Sequence, residues 1–180
     1  KDEIPYKNYT YLCYTPNYRE KCIPSEAIVI EHLKSEIRNY IRPKIDNCFS
    51  SLKQDLESQG YVVSLSNQMN FSIELIPRTI KIEIDRKLEF SKAEQTKKFE
   101  HYIARTGSPL YDLVIVAHEI IRQEAKYCNS DYINIMRQYK DFEINKFQTG
   151  DGIRIYTIID ILSEKIFRFA VRGCILPVPA

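Results

Sequence analysis

A chain of 180 residues can bury roughly 70% of the surface its unfolded form exposes, so a core needs neither metal nor cross-links. Its 26 lysines and arginines face 24 acidic residues, and the net +2 is spread without blocks of like charge, which excludes a nucleic-acid or polybasic membrane footprint. No apolar run reaches the roughly 18 residues of a spanning helix and the first residue is Lys1, so any signal or anchor is expected upstream.

Residues 1–24 gather Tyr6, Tyr9, Tyr11, Tyr14 and Tyr18 with Pro5, Pro16 and Pro24, without a sustained period, which predicts an extended arm packing as an edge. Cys13 and Cys22 flank a turn-forming Thr15-Pro16-Asn17 core, so a local disulfide is expected to pin this arm. Ser25 and Glu26 open an amphipathic core helix whose stripe is Val29, Leu33, Ile37 and Ile41. Pro43 is expected to interrupt it, and a second helical stretch from about Ile45 to Ser58 carries Phe49, Leu52 and Leu56 before Gly60 stops it.

From Tyr61 the period becomes two. Tyr61, Val63 and Leu65, then Phe71, Ile73 and Leu75, then Ile80 to Phe90 read as strands with one buried face. The short breaks at Ser66-Asn67-Gln68 and Ile76-Pro77-Arg78 predict an antiparallel meander. Thr96 to Thr106 fits a helix through Phe99, Tyr102 and Ile103, or a strand through Phe99, His101 and Ile103 returning from a turn near Lys92 to Gln95; the strand is preferred.

Ser108 as N-cap and Pro109 at the first helical position open a buried helix bearing Leu110, Leu113, Val114, Val116, Ala117, Ile120 and Ile121 and ending near Tyr127. Asn129-Ser130-Asp131 caps a short helix with Ile133, Ile135, Met136 and Tyr139. Phe142 to Phe147, Ile153 to Leu162 and Ile166 to Val171 read as strands, with turns at Gly150-Asp151-Gly152 and Ser163-Glu164-Lys165. The prediction is an α+β fold of antiparallel meander sheets packed against amphipathic helices, in the order α-ββββ-αα-βββ, as one domain over 25–180 preceded by the arm.

Constellations that could carry chemistry are incomplete. His118-Glu119 resembles the start of a zinc-protease helix, but Arg122 stands where the second histidine belongs. Glu83 with Asp85, and Asp151 with Asp160, could be drawn as acid and base pairs, yet strand alternation and a turn place them in solvent. Ser108 lacks a nucleophile elbow, Cys174 has no histidine near it in sequence, and five glycines form no phosphate loop. No catalytic residue, metal or cofactor is expected, and an enzyme of unrecognised type is the least favoured reading.

The five cysteines, together with Asn-X-Ser/Thr acceptor sites at Asn8 and Asn70, point to an oxidising, extracytoplasmic compartment and a disulfide-bonded glycoprotein. Cys48 and Cys128 each end a helical region; a bridge between them would close a loop of roughly 80 residues, stabilising by about 4.5 kcal/mol through chain entropy, against about 2.7 for the local bridge. That pairing is preferred among the three that four cysteines permit, and leaves Cys174 as a buried thiol or an intermolecular link. The tyrosine cluster offers rigid amphipathic area suited to interfaces and sugar platforms, and would serve equally to cover a sheet.

The run Tyr11-Leu12-Cys13-Tyr14-Thr15 with Cys22, the helix ending at Cys48, the Gln59-Gly60-Tyr61 approach to the sheet and the strand-to-helix passage leading to Cys128 resemble a group of secreted or membrane-anchored ectodomain proteins of DPANN archaea, of the nanoarchaeal and woesearchaeal type. The likeness covers roughly residues 11 to 171. It implies an upstream anchor or signal and an ectodomain outside the membrane, and brings no activity or substrate. The group often has a second cysteine close to the one at the second helix end; this chain has Cys128 alone there, which leaves Cys174 as a substitute partner. The expected function is a non-enzymatic cell-surface domain making protein contacts or self-associating, as a subunit of a surface assembly or filament. The alternative is a glycan- or peptide-binding module built on the tyrosine arm.

Overall fold

The computed structural model describes residues 9–176, with the backbone alone for residues 26–28. Along the chain run β1 (Tyr11–Tyr14), β2 (Ile23–Pro24), α1 (Glu26–Ser58), β3 (Val62–Leu65), β4 (Asn70–Ile76), β5 (Thr79–Lys92), β6 (Gln95–Gly107), α2 (Leu110–Tyr127), α3 (Tyr132–Gln138), β7 (Phe142–Gln148), β8 (Arg154–Asp160) and β9 (Ile166–Arg172). The fold is α+β, and from α1 onward its order is the one read from the sequence. The backbone divides into two compact units: residues up to Ile30 with those from Pro109 onward, and Glu31–Ser108. These boundaries differ from the expected arm and single domain, because the arm is built into the sheet of the first unit while the Glu31–Ser108 segment has its own small core.

In the first unit the sheet order is β2-β1-β9-β8-β7. β1 lies parallel to β9 and every other pair is antiparallel, so β1 is an interior strand and β2 the edge. The helical period places Leu113, Val116, Ala117, Ile120 and Ile121 of α2 on one buried stripe, packed with Ile135 of α3 and with Ile144, Tyr156, Ile158, Phe169 and Val171 of the sheet. Pro109 takes the cap position of α2, one residue later than expected, where its missing N–H costs nothing. Asp131 caps α3 by accepting the Asn134 N–H at 3.1 Å.

In the second unit β5, 14 residues long, is the central strand. β4 pairs with Thr79–Asp85 and β3 with Leu88–Ser91, so the two lie end to end along one edge of β5 and do not pair with each other as a meander requires. A bulge between Asp85 and Leu88 separates the two registers. β6 takes the other edge, and Thr96–Thr106 is strand. The core is Phe49, Met69 and Ile84 with partly buried Ile45, Leu65, Phe71, Ile82 and Tyr102. Arg86, in the bulge, pairs with Asp46 at 2.9 Å and donates to the Ser66 carbonyl at 2.9 Å.

Two expectations about α1 are corrected. The helix continues through Pro43: the carbonyl that loses its N–H partner belongs to Asn39, which is exposed and open to water. Leu33, Ile37 and Ile41 are only half-buried, and Phe49 is the one fully buried α1 side chain among the described residues, with Val29 and Ile45 packed partly buried against the cores.

Cys13 and Cys22 are bonded, with Cα atoms 5.2 Å apart. The second bond joins Cys128 to Cys174 and replaces the expected Cys48 to Cys128 pair, so Cys174 is not the leftover thiol and Cys48 is. Chain continuity explains the change. Cys48 sits on the exposed surface of an unbroken helix in the second unit, whereas Cys128 caps α2 in the left-handed conformation (φ 60°) and meets the segment leaving β9 in its own unit.

Candidate functional site

The tyrosine arm forms a defined surface on the first unit. At the bulge between Tyr11 and Cys13, two residues of β1 oppose one of β9, so Leu12 and Cys13 both turn inward. Tyr11 and Tyr14 stay outside, 37% and 44% exposed, in edge-to-face contact with centroids 5.2 Å apart. Arg172 donates to the Thr15 carbonyl, and its guanidinium lies 5.8 Å from the Tyr14 ring and 5.7 Å from that of Tyr18. Tyr18 is itself 54% exposed. Burial, followed by the Asp151 carboxylate, raises the pKa of Tyr11. Tyr9 is half-buried, while Tyr6 and the acceptor Asn8 lie outside the described residues.

Beneath this surface the two disulfides meet at consecutive residues. A Cβ on Gly173 would stand 2.8 Å from both the Cβ and the backbone nitrogen of Cys22, and the next residue is the bridged Cys174. Only glycine permits that approach. The segment is further held by the Arg19 N–H on the Ile175 carbonyl at 2.9 Å.

A buried charge cluster escaped the sequence reading. Glu124 of α2, 1% exposed, accepts from the Tyr156 hydroxyl and pairs with Arg154 at 2.9 Å. Arg154 also donates to the Gly173 carbonyl at 2.9 Å, and Lys146 stands 3.8 Å from Glu124 while bonding Asn129 at 2.6 Å. Burial first, then the Glu124 carboxylate, pushes the Tyr156 phenol far up; burial pulls Lys146 down. The available signal was positional, since Glu124 follows Ala117 and Ile120 at helical spacing on the apolar stripe. Arg154 thus couples the α2 core to the segment between the disulfides, which is a structural role.

The remaining sequence candidates are separated. Among the described residues no three His, Cys, Asp or Glu side chains cluster to hold a metal. Arg122 pairs with Glu119 at 2.9 Å, and His118 is half-buried with an unpartnered Nε2. Asp160, expected in solvent, is fully buried because its carboxylate accepts the Ser163 N–H at 2.9 Å to close the β8–β9 turn; Asp151 is exposed. Glu83 pairs with Lys81 at 2.7 Å, an interaction that lowers its pKa. Asp85 meets His101 Nδ1 at 2.7 Å in an open depression of about 470 Å³ shared with Ser66, Gln68, Asn70 and Arg86. Both members of that dyad are more than half exposed, so water competes at every position and the dyad lacks a dry, preorganised setting for acid–base work. Asn70 is exposed at the start of β4.

No family model, curated protein or solved structure matches this chain. The functional reading rests on the covalent framework and the exposed aromatic surface.

Proposed function

We propose that this protein is a non-enzymatic, extracytoplasmic domain of the cell-surface type found in the DPANN archaeal ectodomain group, and that it mediates protein contacts as a subunit of a surface assembly. The supporting observation is the exposed Tyr11, Tyr14 and Tyr18 surface held rigid by Arg172 and by the Cys13–Cys22 bond. Tyrosine and arginine locked in place lose little entropy on docking and dominate contact energetics. Two disulfides suit an oxidising compartment.

A photo-crosslinking residue placed at Tyr14 or Tyr18, in protein displayed on its native envelope, is expected to give covalent protein adducts, with Leu52 of α1 as the control position. Adducts from Leu52 alone, or from none of the three, contradict the reading. Arg172 beside two tyrosine faces also suits a carbohydrate or peptide ligand. Binding of surface polysaccharide that disappears in Tyr14→Ala and Tyr18→Ala would select that version.

A further inference from the structure

We propose that the free edge of β6 is the self-association surface of this protein, taking β6 of a second copy antiparallel about Phe99. This deepens the contact reading, on which it rests, by naming the partner. β6 is 13 residues long, is exposed everywhere except at Tyr102, and pairs on one side only, with β5. Its other edge presents a row of backbone donors and acceptors that have no strand partner among the described residues.

The charges decide the occupant and the register. Within the copy, Lys98 pairs with its cross-strand neighbour Glu89 at 3.1 Å, and Glu100 with Lys87 at 3.7 Å. A two-fold axis through Phe99 sets Lys98 opposite Glu100 of the second copy, and the reverse. Each row of the four-stranded junction then alternates in sign, from Glu89 and Lys98 to Glu100 and Lys87 of the second copy. Phe99, 48% exposed and stacked on Phe90 at 5.9 Å, meets Phe99 of the second copy at the axis and continues the aromatic row. Ile103, also 48% exposed, falls opposite Gln95. A register centred on His101 would place Lys97 opposite Arg105, a like-charge pair, and is disfavoured. Charged edge strands also occur as protection against pairing, and here the protective charges are self-complementary.

Charge reversal tests this directly, because Lys98 and Glu100 are 66% and 62% exposed and can be changed without disturbing a core. In sedimentation velocity over a concentration series, the wild type is expected to dimerise and to weaken with added salt. Lys98→Glu and Glu100→Lys, each alone, are expected to lose association at least tenfold. Mixing the two variants restores opposite charges in both rows and is expected to restore the dimer. A wild type that stays monomeric, or a mixture of the two variants that does not associate, overturns the proposal. A wild type that associates without responding to either variant overturns the β6 interface and leaves the contact-domain reading standing. The Tyr14 and Tyr18 crosslinks decide that reading independently.

Discussion

Glu124 of α2 and Arg154 of β8 form an ion pair at 2.9 Å in which neither partner reaches solvent, at 1% and 7% exposure. Among the described residues this carboxylate is the acidic group paired with both the buried Arg154 and the partly buried Lys146, 3.8 Å away. Desolvating such groups is expensive, and the cost is offset only while the set is complete.

Glu124→Gln removes the counter-charge and leaves Arg154 and Lys146 opposing each other. A loss of about 3–5 kcal/mol is expected in urea unfolding. Glu57→Gln, which breaks only the exposed 3.7 Å contact with Lys53, should stay within about 0.5 kcal/mol. Equal losses would show that the buried cluster has no special weight.

Alkaline pH acts on the same cluster with a determined sign. The folded protein keeps the Tyr156 proton above pH 10.0, where the unfolded chain releases it, so this contribution to stability is present below that pH and is lost as pH rises. The slope for one such group is at most about 1.4 kcal/mol per pH unit. Lys146, shifted down by burial, gives the opposite slope, but only below its ordinary value of 10.5. Stability should therefore decline above pH 10.5, and Tyr156→Phe should flatten that decline. Tyr11 and Tyr102 are raised by partial burial in the same direction and leave a residual slope. An identical decline in the variant would contradict the assignment.

Gly173→Ala forces a methyl to 2.8 Å from the backbone of Cys22, which cannot move without displacing the Cys13–Cys22 bond. A cost of about 1–3 kcal/mol is expected. At Gly150 a new Cβ meets nothing within 4 Å, so Gly150→Ala serves as the comparison in thermal unfolding. Equal melting temperatures for the two variants would refute the close approach.

Pro43→Ala distinguishes a continuous α1 from an interrupted one. Restoring the missing helical N–H in an unbroken helix should stabilise by about 2 kcal/mol, after allowing for the extra freedom of the unfolded chain. An interrupted helix would show no gain.

Pro43 also illustrates what the sequence could convey. Patterns with local causes were legible: the α2 stripe, the alternation through β4 and the middle of β5, and the turns at Gly150 to Gly152 and Ser163 to Lys165. Features set by distant residues were not. The parallel pairing of β1 with β9 joins opposite ends of the chain, and β3 reaches past β4 to pair with the far half of β5. Neither leaves a local period. Proline was read through its intrinsic cost, which an exposed helix face tolerates by handing the Asn39 carbonyl to water. Of the site residues, Tyr11, Tyr14 and Tyr18 were found by composition, whereas Arg172, which holds two of them, comes from the other end of the sequence.

The most direct measurement is a non-reducing peptide map of the protein recovered from its native compartment, with free thiols alkylated before digestion. The expected result is two linked peptide pairs, Cys13 with Cys22 and Cys128 with Cys174, and alkylation at Cys48 alone. The second bond spans 46 residues and should contribute about 4 kcal/mol through chain entropy. A linked Cys48 to Cys128 pair would contradict the covalent framework, and alkylation of all five cysteines, which would mark a reducing compartment, would contradict both that framework and the extracytoplasmic reading built on it.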